Sequence, residues 1–389
     1  MLALALASAL VWGVLLFARG GFWTCRDHDR AWSGTLTEGQ AWPSVTVIVP
    51  ARDEAECIGR SIGALLDQDY PGRFRVVLVD DDSCDGTGAI AEALAEARHV
   101  PERLTVLRNR QLPAGWTGKL FAMATGLAAV EAADDAPDFV LFCDADIALA
   151  PDTLRMLAAK AVHERRVLVS LMARLSVATP AEKALVPAFI YFFAKLYPFA
   201  WVSNPKSPVA AAAGGCMLVD WLALKRAGGL ERIRTAIIDD CALGRLMKGQ
   251  GSVALALTDR ALSLRVYSGI GPIRRMVVRS AYAELKHSPL RLVLAMLGLG
   301  LTYMVPPALA VLADGLAGWI GLGVTLAMMA SFVPILRFYR LSPVLALTLP
   351  LIAIAYAAFT VESAIRHWRG RGGEWKGRYQ DVARGGHSS

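Results

Sequence analysis

Two kinds of hydrophobic pattern divide the chain. Between residues 44 and 175, short apolar runs alternate with amphipathic stretches; from Leu290 onward the apolar runs are long. SVTVIVPA (44–51) reads as a buried strand, a continuous β-branched run closed by Pro50. Residues 54–67 place Ile58, Ile62, Leu65 and Leu66 on one helical face. FRVVLVDD (74–81), RLTVLRN (103–109), DFVLFCDAD (138–146) and VLVSLMARL (167–175) read as further strands. Between them 86–97, 119–132 and 151–162 read as helices, the last with Pro151 in its first turn. This alternation predicts an α/β fold: a mostly parallel sheet with helices on both faces. Ligands of such sheets bind beyond the carboxyl ends of the strands. Three aspartate-rich segments are expected at strand ends: Asp80–Asp82, Asp144–Asp146 and Asp239–Asp240.

The long apolar runs predict membrane helices. Leu2 to Ala18 is apolar and adequate for one span, followed by Arg19, Arg26 and Arg30. It reads as an uncleaved anchor rather than a signal peptide, because a positively charged start is missing. The arginines after it put the next domain on the cytoplasmic side. Residues 184–202 are apolar and aromatic but broken by Pro187, Lys195 and Pro198, which suits interfacial helices or a buried core helix. Residues 290–313, 318–336 and 343–361 are each long enough to span. Three spans after a cytoplasmic domain would carry the tail outside, whereas its basic charge favours inside; one of the three is therefore expected to be re-entrant or interfacial. The expected organisation is an anchor (1–19), a linker (20–43), a cytoplasmic domain (44–270), a juxtamembrane helix (271–289), a membrane region (290–361) and a basic tail (362–389).

Composition agrees. Of 389 residues, 55% are hydrophobic and 19% charged, too apolar for a purely soluble enzyme or a disordered chain. The net charge of +7 is better explained by membrane-flanking cations than by nucleic acid, since no basic stripe with interleaved aromatics occurs. The six cysteines include no Cys-x-x-Cys pair, which argues against a zinc or redox motif and suits a reducing compartment. The six histidines show no ligand spacing.

Candidate chemistry lies with the carboxylates. Asp144 and Asp146 alternate along an extended segment and so share one side. Mg2+ or Mn2+ prefers such oxygen ligands, and beside a diphosphate it neutralises charge on the departing group. An isolated Asp-x-Asp is weak, but this one belongs to a series. VIVPARDEAECI (47–58), VLVDDDSCDGT (77–87), WTGK (116–119), FCDAD (142–146), AAGGCMLVD (212–220) and IIDDCALGRLMKGQG (237–251) follow in order. Over roughly residues 44–265 the chain resembles the family-2 glycosyltransferases, which have the GT-A type nucleotide-diphospho-sugar transferase fold. NPKSPVAAAAGGCMLVD (204–220), IRRMVVRSAYAELKHSPLRL (273–292) and EWKGRYQ (374–380) look like the hopene-associated subgroup of hopanoid-producing bacteria.

The resemblance implies roles. Pro50, Ala51 and Glu54 match the segment lining the nucleotide pocket, and Asp80 or Asp81 the acid that hydrogen-bonds the base. Asp85, Gly86 and Thr87 match the turn into the next helix, where Asp85 also suits a helix cap. Lys119 matches a lysine near the donor phosphates. Asp144 would contact ribose or metal, and Asp146 would ligate the metal. Gly214 and Gly215 match the loop beside the sugar and acceptor. Asp240 matches the catalytic base, and Asp239 stands where the family has Glu. Arg275 and Arg279, four apart on an expected helix, could share a face and pair with the leaving diphosphate or with lipid headgroups. The Gln-x-x-Arg-Trp of processive members is absent, which argues against a polysaccharide synthase. Trp375, Lys376, Gly377, Arg378 and Tyr379 suit a segment folded back toward the site or an interfacial anchor.

The expected protein is an inverting glycosyltransferase of a bacterial inner membrane. It would move sugar from a nucleotide-sugar, a UDP-sugar first, to a lipid hydroxyl of hopanoid or related isoprenoid type. Alternatives are transfer to polyprenyl phosphate or diacylglycerol, and a non-catalytic scaffold for hopanoid assembly. Nucleotidyl transfer is disfavoured because a Gly-rich, Arg-containing loop does not follow the first strand.

Overall fold

A computed structural model describes residues 1–109, 111–375 and 378–379. Lys376, Gly377 and Gln380 of the tail motif lie outside the described residues. In chain order the elements begin with α1 (Leu2–Phe17), β1 (Val45–Ala51), α2 (Ala55–Leu66), β2 (Phe74–Asp81), α3 (Thr87–Ala97), β3 (Leu104–Asn109), α4 (Gly118–Glu131) and β4 (Phe139–Cys143). They continue with β5 (Ile147–Leu149), α5 (Thr153–Glu164), β6 (Leu168–Arg174), α6 (Pro180–Leu196), α7 (Phe199–Ser203), β7 (Cys216–Asp220), α8 (Trp221–Arg226), α9 (Asp239–Lys248) and β8 (Val253–Ser263). The last are α10 (Ile270–Glu284), α11 (Pro289–Leu299), α12 (Val305–Leu312), α13 (Gly315–Phe338), α14 (Leu349–Trp368), β9 (Glu374–Trp375) and β10 (Arg378–Tyr379). They form two compact units.

The α/β unit contains Asp27–Ser176 and Trp201–Arg265. Its sheet runs β3-β2-β1-β4-β7-β6-β8-β5. The expected parallel part is β3-β2-β1-β4, every residue of β1 being buried between layers of side chains. The far half is mixed: β7 runs antiparallel to β4 and β6, β5 runs antiparallel to β8, and β6 and β8 are parallel. β7 and β8 were not evident in the strand–helix alternation, and the expected strand 138–146 divides at the acids, with β4 ending at Cys143 and β5 starting at Ile147. The amide of Asp144 bonds to Gly215 O, and that of Ile147 turns back to Asp144 O. The core joins Val47, Val49, Ile58, Ile62, Leu78 and Leu141 from both layers. The expected linker is tied to β8, since Leu257 donates its amide to Asp27 O at 2.8 Å and buried Asp29 accepts the Thr258 hydroxyl at 2.6 Å.

The helical unit contains Met1–Arg26, Val177–Ala200 and Val266–Gly373. Pro289–Leu312, Gly315–Phe338 and Pro343–Trp368 are long and apolar enough to cross a membrane, at 24, 24 and 26 residues. The first contains a π-turn at Gly300–Met304, and the third opens with a 3-10 turn at Pro343–Thr348. α1 lies along α12 and α13, with Ala5 packed on Leu309 and Ala317, and Trp12 donating Nε1–H to Thr302 O at 2.8 Å. α6 starts with a Thr179–Glu182 capping box. Its Tyr191 hydroxyl meets Ser331 of α13 at 2.7 Å, and Tyr356 of α14 donates to Leu185 O at 2.9 Å. The beginning of the first long segment and the end of the third lie together, His287 stacked on His367 with ring centroids 4.1 Å apart.

Candidate active site

The carboxyl ends of β1, β2 and β4 and the first turns of α2, α4 and α9 carry most of the expected site residues. Pro50 and Ala51 end β1, both buried. Glu54 is the N-cap position of α2, and its amide donates to Thr87 Oγ1 at 2.9 Å. Asp80 and Asp81 end β2 and are buried, Asp80 accepting the Ser83 amide at 3.0 Å. Arg52 donates to Asp81 O at 2.5 Å, closing the gap between β1 and β2. Asp85 accepts the amides of Ala55 at 2.9 Å and Thr87 at 3.1 Å, so it braces the starts of α2 and α3. Burial opposes its charge, but these hydrogen bonds and that of the Thr87 hydroxyl hold its carboxyl below the usual range.

Lys119 is the hub. Its Nζ lies 2.8 Å from Asp144 Oδ1 and 2.9 Å from Asp239 Oδ2, joining α4 to the β4–β5 turn and to α9. Burial alone would favour the neutral amine, but Asp144 and Asp239 outweigh it and hold the ammonium well above its ordinary range. Lys119 is thus not a solvated lysine at a helix start: its side chain is only 16% exposed. Burial, with the charges of Asp146 and Asp239, pushes the Asp144 carboxyl up to about 6 against the pull of Lys119.

Asp240 sits beside this hub. Its Oδ2 accepts the Gly214 amide at 3.0 Å and its Oδ1 the Cys241 amide at 2.7 Å. Burial and then the Asp239 charge raise its carboxyl to about 6, against Lys119 and the two amides. Glycine placement makes this possible. A Cβ at Gly244 would fall 2.5 Å from Ala211 C, so α9 reaches the 211–214 loop only without a side chain there. A Cβ at Gly214 would stand 3.2 Å from Lys119 Nζ and 3.5 Å from Asp240 Oδ2. Gly215 continues the loop into β7, close to Ala173 and Ile147.

One site residue was not anticipated. Arg265, two residues beyond β8, donates Nε–H to Asp146 Oδ2 at 2.8 Å and Nη2 to Glu54 at 2.6 and 2.8 Å. Leu264 fixes its backbone by donating to Asp146 O at 2.7 Å. Asp144 and Asp146 thus each sit against a cation.

Arg275 and Arg279 belong to α10 of the helical unit, Arg275 exposed and Arg279 partly buried, with neighbouring Arg274 3.6 Å from Glu362. Among the described residues no three or more His, Cys, Asp or Glu side chains cluster ready to hold a metal ion. The expected metal ligands Asp144 and Asp146 would supply two carboxylates, each paired here with a cationic side chain. That suits Mg2+, which keeps waters and is commonly held by one or two carboxylates together with phosphates. The raised Asp144 carboxyl is also the mark of crowded acids that a dication would relieve.

Residues 46–219 match glycosyl transferase family 2. An N-acetylglucosaminyltransferase of Mesorhizobium japonicum is 31% identical over 140 residues, 36% of this chain and 30% of that protein. A beta-monoglucosyldiacylglycerol synthase of Synechocystis is 36% identical over 115 residues, 29% of this chain and 22% of that protein. The chain therefore spans less than a third of the length of these relatives. The structure of the mannosyltransferase PcManGT from Pyrobaculum calidifontis, in complex with GDP-Man and Mn2+, superposes with a TM-score of 0.56 at 21% identity. The match covers 94% of this chain and 97% of that one, and it shows the GT-A fold.

Proposed function

From a glycosyl transferase family 2 domain with this arrangement of acids, we propose a membrane-bound, inverting glycosyltransferase that moves a sugar from a nucleotide-sugar to a lipid hydroxyl. The observation that carries the reading is the Asp240 carboxylate, held by two backbone amides beside the Lys119–Asp144–Asp239 network. A UDP-sugar is the first donor to test. The resemblance to the hopene-associated subgroup favours a hopanoid or related isoprenoid acceptor. The three long apolar helices support a water-insoluble acceptor, with the catalytic domain on the cytoplasmic face of a bacterial inner membrane.

The residues divide the work. Pro50, Ala51, Asp80 and Asp81 border the nucleotide, and Gly214 and Gly215 the transferred sugar. Lys119 bridges Asp144 and Asp239 and offers positive charge on the donor side. Arg275 and Arg279 add positive charge to α10 of the helical unit. Asp240 takes the proton of the acceptor hydroxyl as its oxygen attacks the anomeric carbon, the nucleoside diphosphate leaves, and the configuration inverts. A raised proton affinity suits a base for this task. Mg2+ or Mn2+, held by Asp144 and Asp146, would neutralise charge on the diphosphate.

The test has two stages. UDP, GDP and dTDP, free and as sugar conjugates, are titrated by calorimetry into detergent-purified protein with and without Mn2+. Metal-dependent binding of one nucleotide, lost in Asp146→Ala, is expected. No binding of any of them by folded protein refutes the donor site and favours the scaffold reading. An acceptor panel of hopanoid, polyprenyl phosphate and diacylglycerol then separates the lipid alternatives, of which diacylglycerol draws support from the Synechocystis relative, a beta-monoglucosyldiacylglycerol synthase.

A further inference from the structure

We propose that Arg265 couples the loading of nucleotide and metal. Its guanidinium bonds Asp146 and Glu54; when a nucleoside diphosphate enters, the guanidinium transfers to a phosphate and releases Asp146 to a divalent cation. This inference rests on the donor-site reading above and adds a residue and an order of events to it.

Four observations carry it. Arg265 Nε is 2.8 Å from Asp146 Oδ2, and a dication cannot take that oxygen while the guanidinium covers it. The same guanidinium holds both oxygens of Glu54, at 2.6 and 2.8 Å. A guanidinium that spans two carboxylates, with Nε on one and Nη2 on the other, can present the same N–H groups to phosphate oxygens. The side chain is 34% exposed, so it has room to turn, whereas its backbone is pinned through Leu264 to Asp146 O at 2.7 Å. Glu54 is not stranded by the exchange, because it stands at the N-terminus of α2, where the helix dipole favours negative charge.

Across the acid pair, Lys119 makes the matching bridge, to Asp144 at 2.8 Å and Asp239 at 2.9 Å. It is less exposed than Arg265, at 16%, and is an ammonium rather than a planar fork. Arg265 is therefore the cation suited to exchange, and Lys119 the one suited to stay. A residue that must leave Asp146 before metal binds makes metal and nucleotide affinities interdependent, and the dependence is reciprocal.

The experiment measures Mn2+ binding by electron paramagnetic resonance on the whole chain in detergent, without nucleotide and with whichever of UDP, GDP or dTDP wild type binds. Mn2+–nucleotide complexes in protein-free buffer are subtracted. Wild type is expected to bind Mn2+ at least about tenfold tighter with nucleotide, within the usual range of coupling. Arg265→Met is expected to bind Mn2+ severalfold tighter than wild type without nucleotide, to bind nucleotide more weakly, and to lose most of the coupling. Arg265→Lys, which keeps the charge and loses the fork, is expected to fall between them, and it serves if Arg265→Met does not fold. Unchanged coupling in either folded variant, or no coupling in wild type, overturns the inference while leaving the donor site standing. Failure of wild type to bind any of the three nucleotides overturns both.

Discussion

Gly214 donates its backbone N–H to Oδ2 of Asp240 at 3.0 Å, from a loop that α9 approaches closely at Gly244. The carboxylate is aimed by main-chain dipoles rather than by a mobile side chain, and an Asn in its place keeps the shape but can accept only one of the two amides. Asp240→Asn is expected to lower kcat by about 10²–10⁴, the range attributed to a positioned base. Donor binding should stay within about threefold of wild type. Product formation and calorimetric donor titration check the two halves separately; a parallel loss of donor affinity would make Asp240 a structural residue.

The raised Asp240 carboxyl fixes the sign of a pH dependence. A base must be ionised, so kcat is expected to rise with pH through about 6 and level off above it. Asp144 is raised to about 6 as well and is linked to Asp240 through Lys119 and Asp239, so the observed midpoint belongs to the set. Stability runs the other way. The folded state binds the Asp240 proton more tightly than the unfolded state, so stability falls as pH rises from about 4 through 6. Asp240→Asn removes the charge but leaves one of the two backbone amides facing an NH2 group, so its melting deficit relative to wild type is expected to be smaller at pH 8 than near pH 4. Thermal melts at the two pH values check it.

These contrasts show which parts of the site local sequence could disclose. The β1, β2, β3 and β4 strands were legible because each is a short β-branched or apolar run between amphipathic helices. The acids of the 144–146 turn were legible as residue types, but their exit from the strand depends on Gly215 O, far along the chain. β8 escaped because it is an apolar run that leads into the polar Thr258–Arg260 stretch, without the alternation that marked the first half. Arg265 left no signal at all: its partners lie 119 and 211 residues away, and only the closing of β8 onto the sheet brings them to it. Asp85 was readable both as a cap and as a site residue, and it accepts the Ala55 and Thr87 amides at the first turns of α2 and α3.

Lys119 is the side chain whose loss should be felt most widely. It bridges Asp144 and Asp239, and Lys119→Met leaves those carboxylates facing each other without a cation. Breaking a buried pair from one side costs about 3–5 kcal/mol, so the variant is expected to melt well below wild type at pH 7.5. The deficit should shrink at pH 5, where Asp144 is already largely protonated, because the repulsion is then weaker. Donor affinity should fall at least about tenfold, since an ammonium near the phosphates is lost along with the positions of both acids. A pH-independent melting deficit would trace the loss to packing instead.

His287 and His367 stack with ring centroids 4.1 Å apart, which bears on how the helical unit meets a membrane. His287 precedes the first long apolar segment and His367 ends the third, with three such segments between them. Three complete crossings would separate the two rings by ~30 Å, the thickness of the hydrocarbon layer. The stack therefore predicts an even number of crossings. Leu309 of α12 lies against Ala317 and Gly321 of α13, so the first two segments form a hairpin that goes out and returns. The third, opening with the 3-10 turn at Pro343–Thr348, must then begin and end on one face. Lys286, Arg291, Arg366, Arg369 and Arg371 flank the stacked rings in sequence, and cations in such positions favour the cytoplasmic side. In a cysteine-free background, single cysteines at Ser342 and Gly370 are expected to be shielded from an impermeant maleimide in spheroplasts. A cysteine at Asp314, in the hairpin turn, is expected to be labelled. Labelling at Gly370 from outside would restore three crossings and separate the histidines in the membrane-embedded protein.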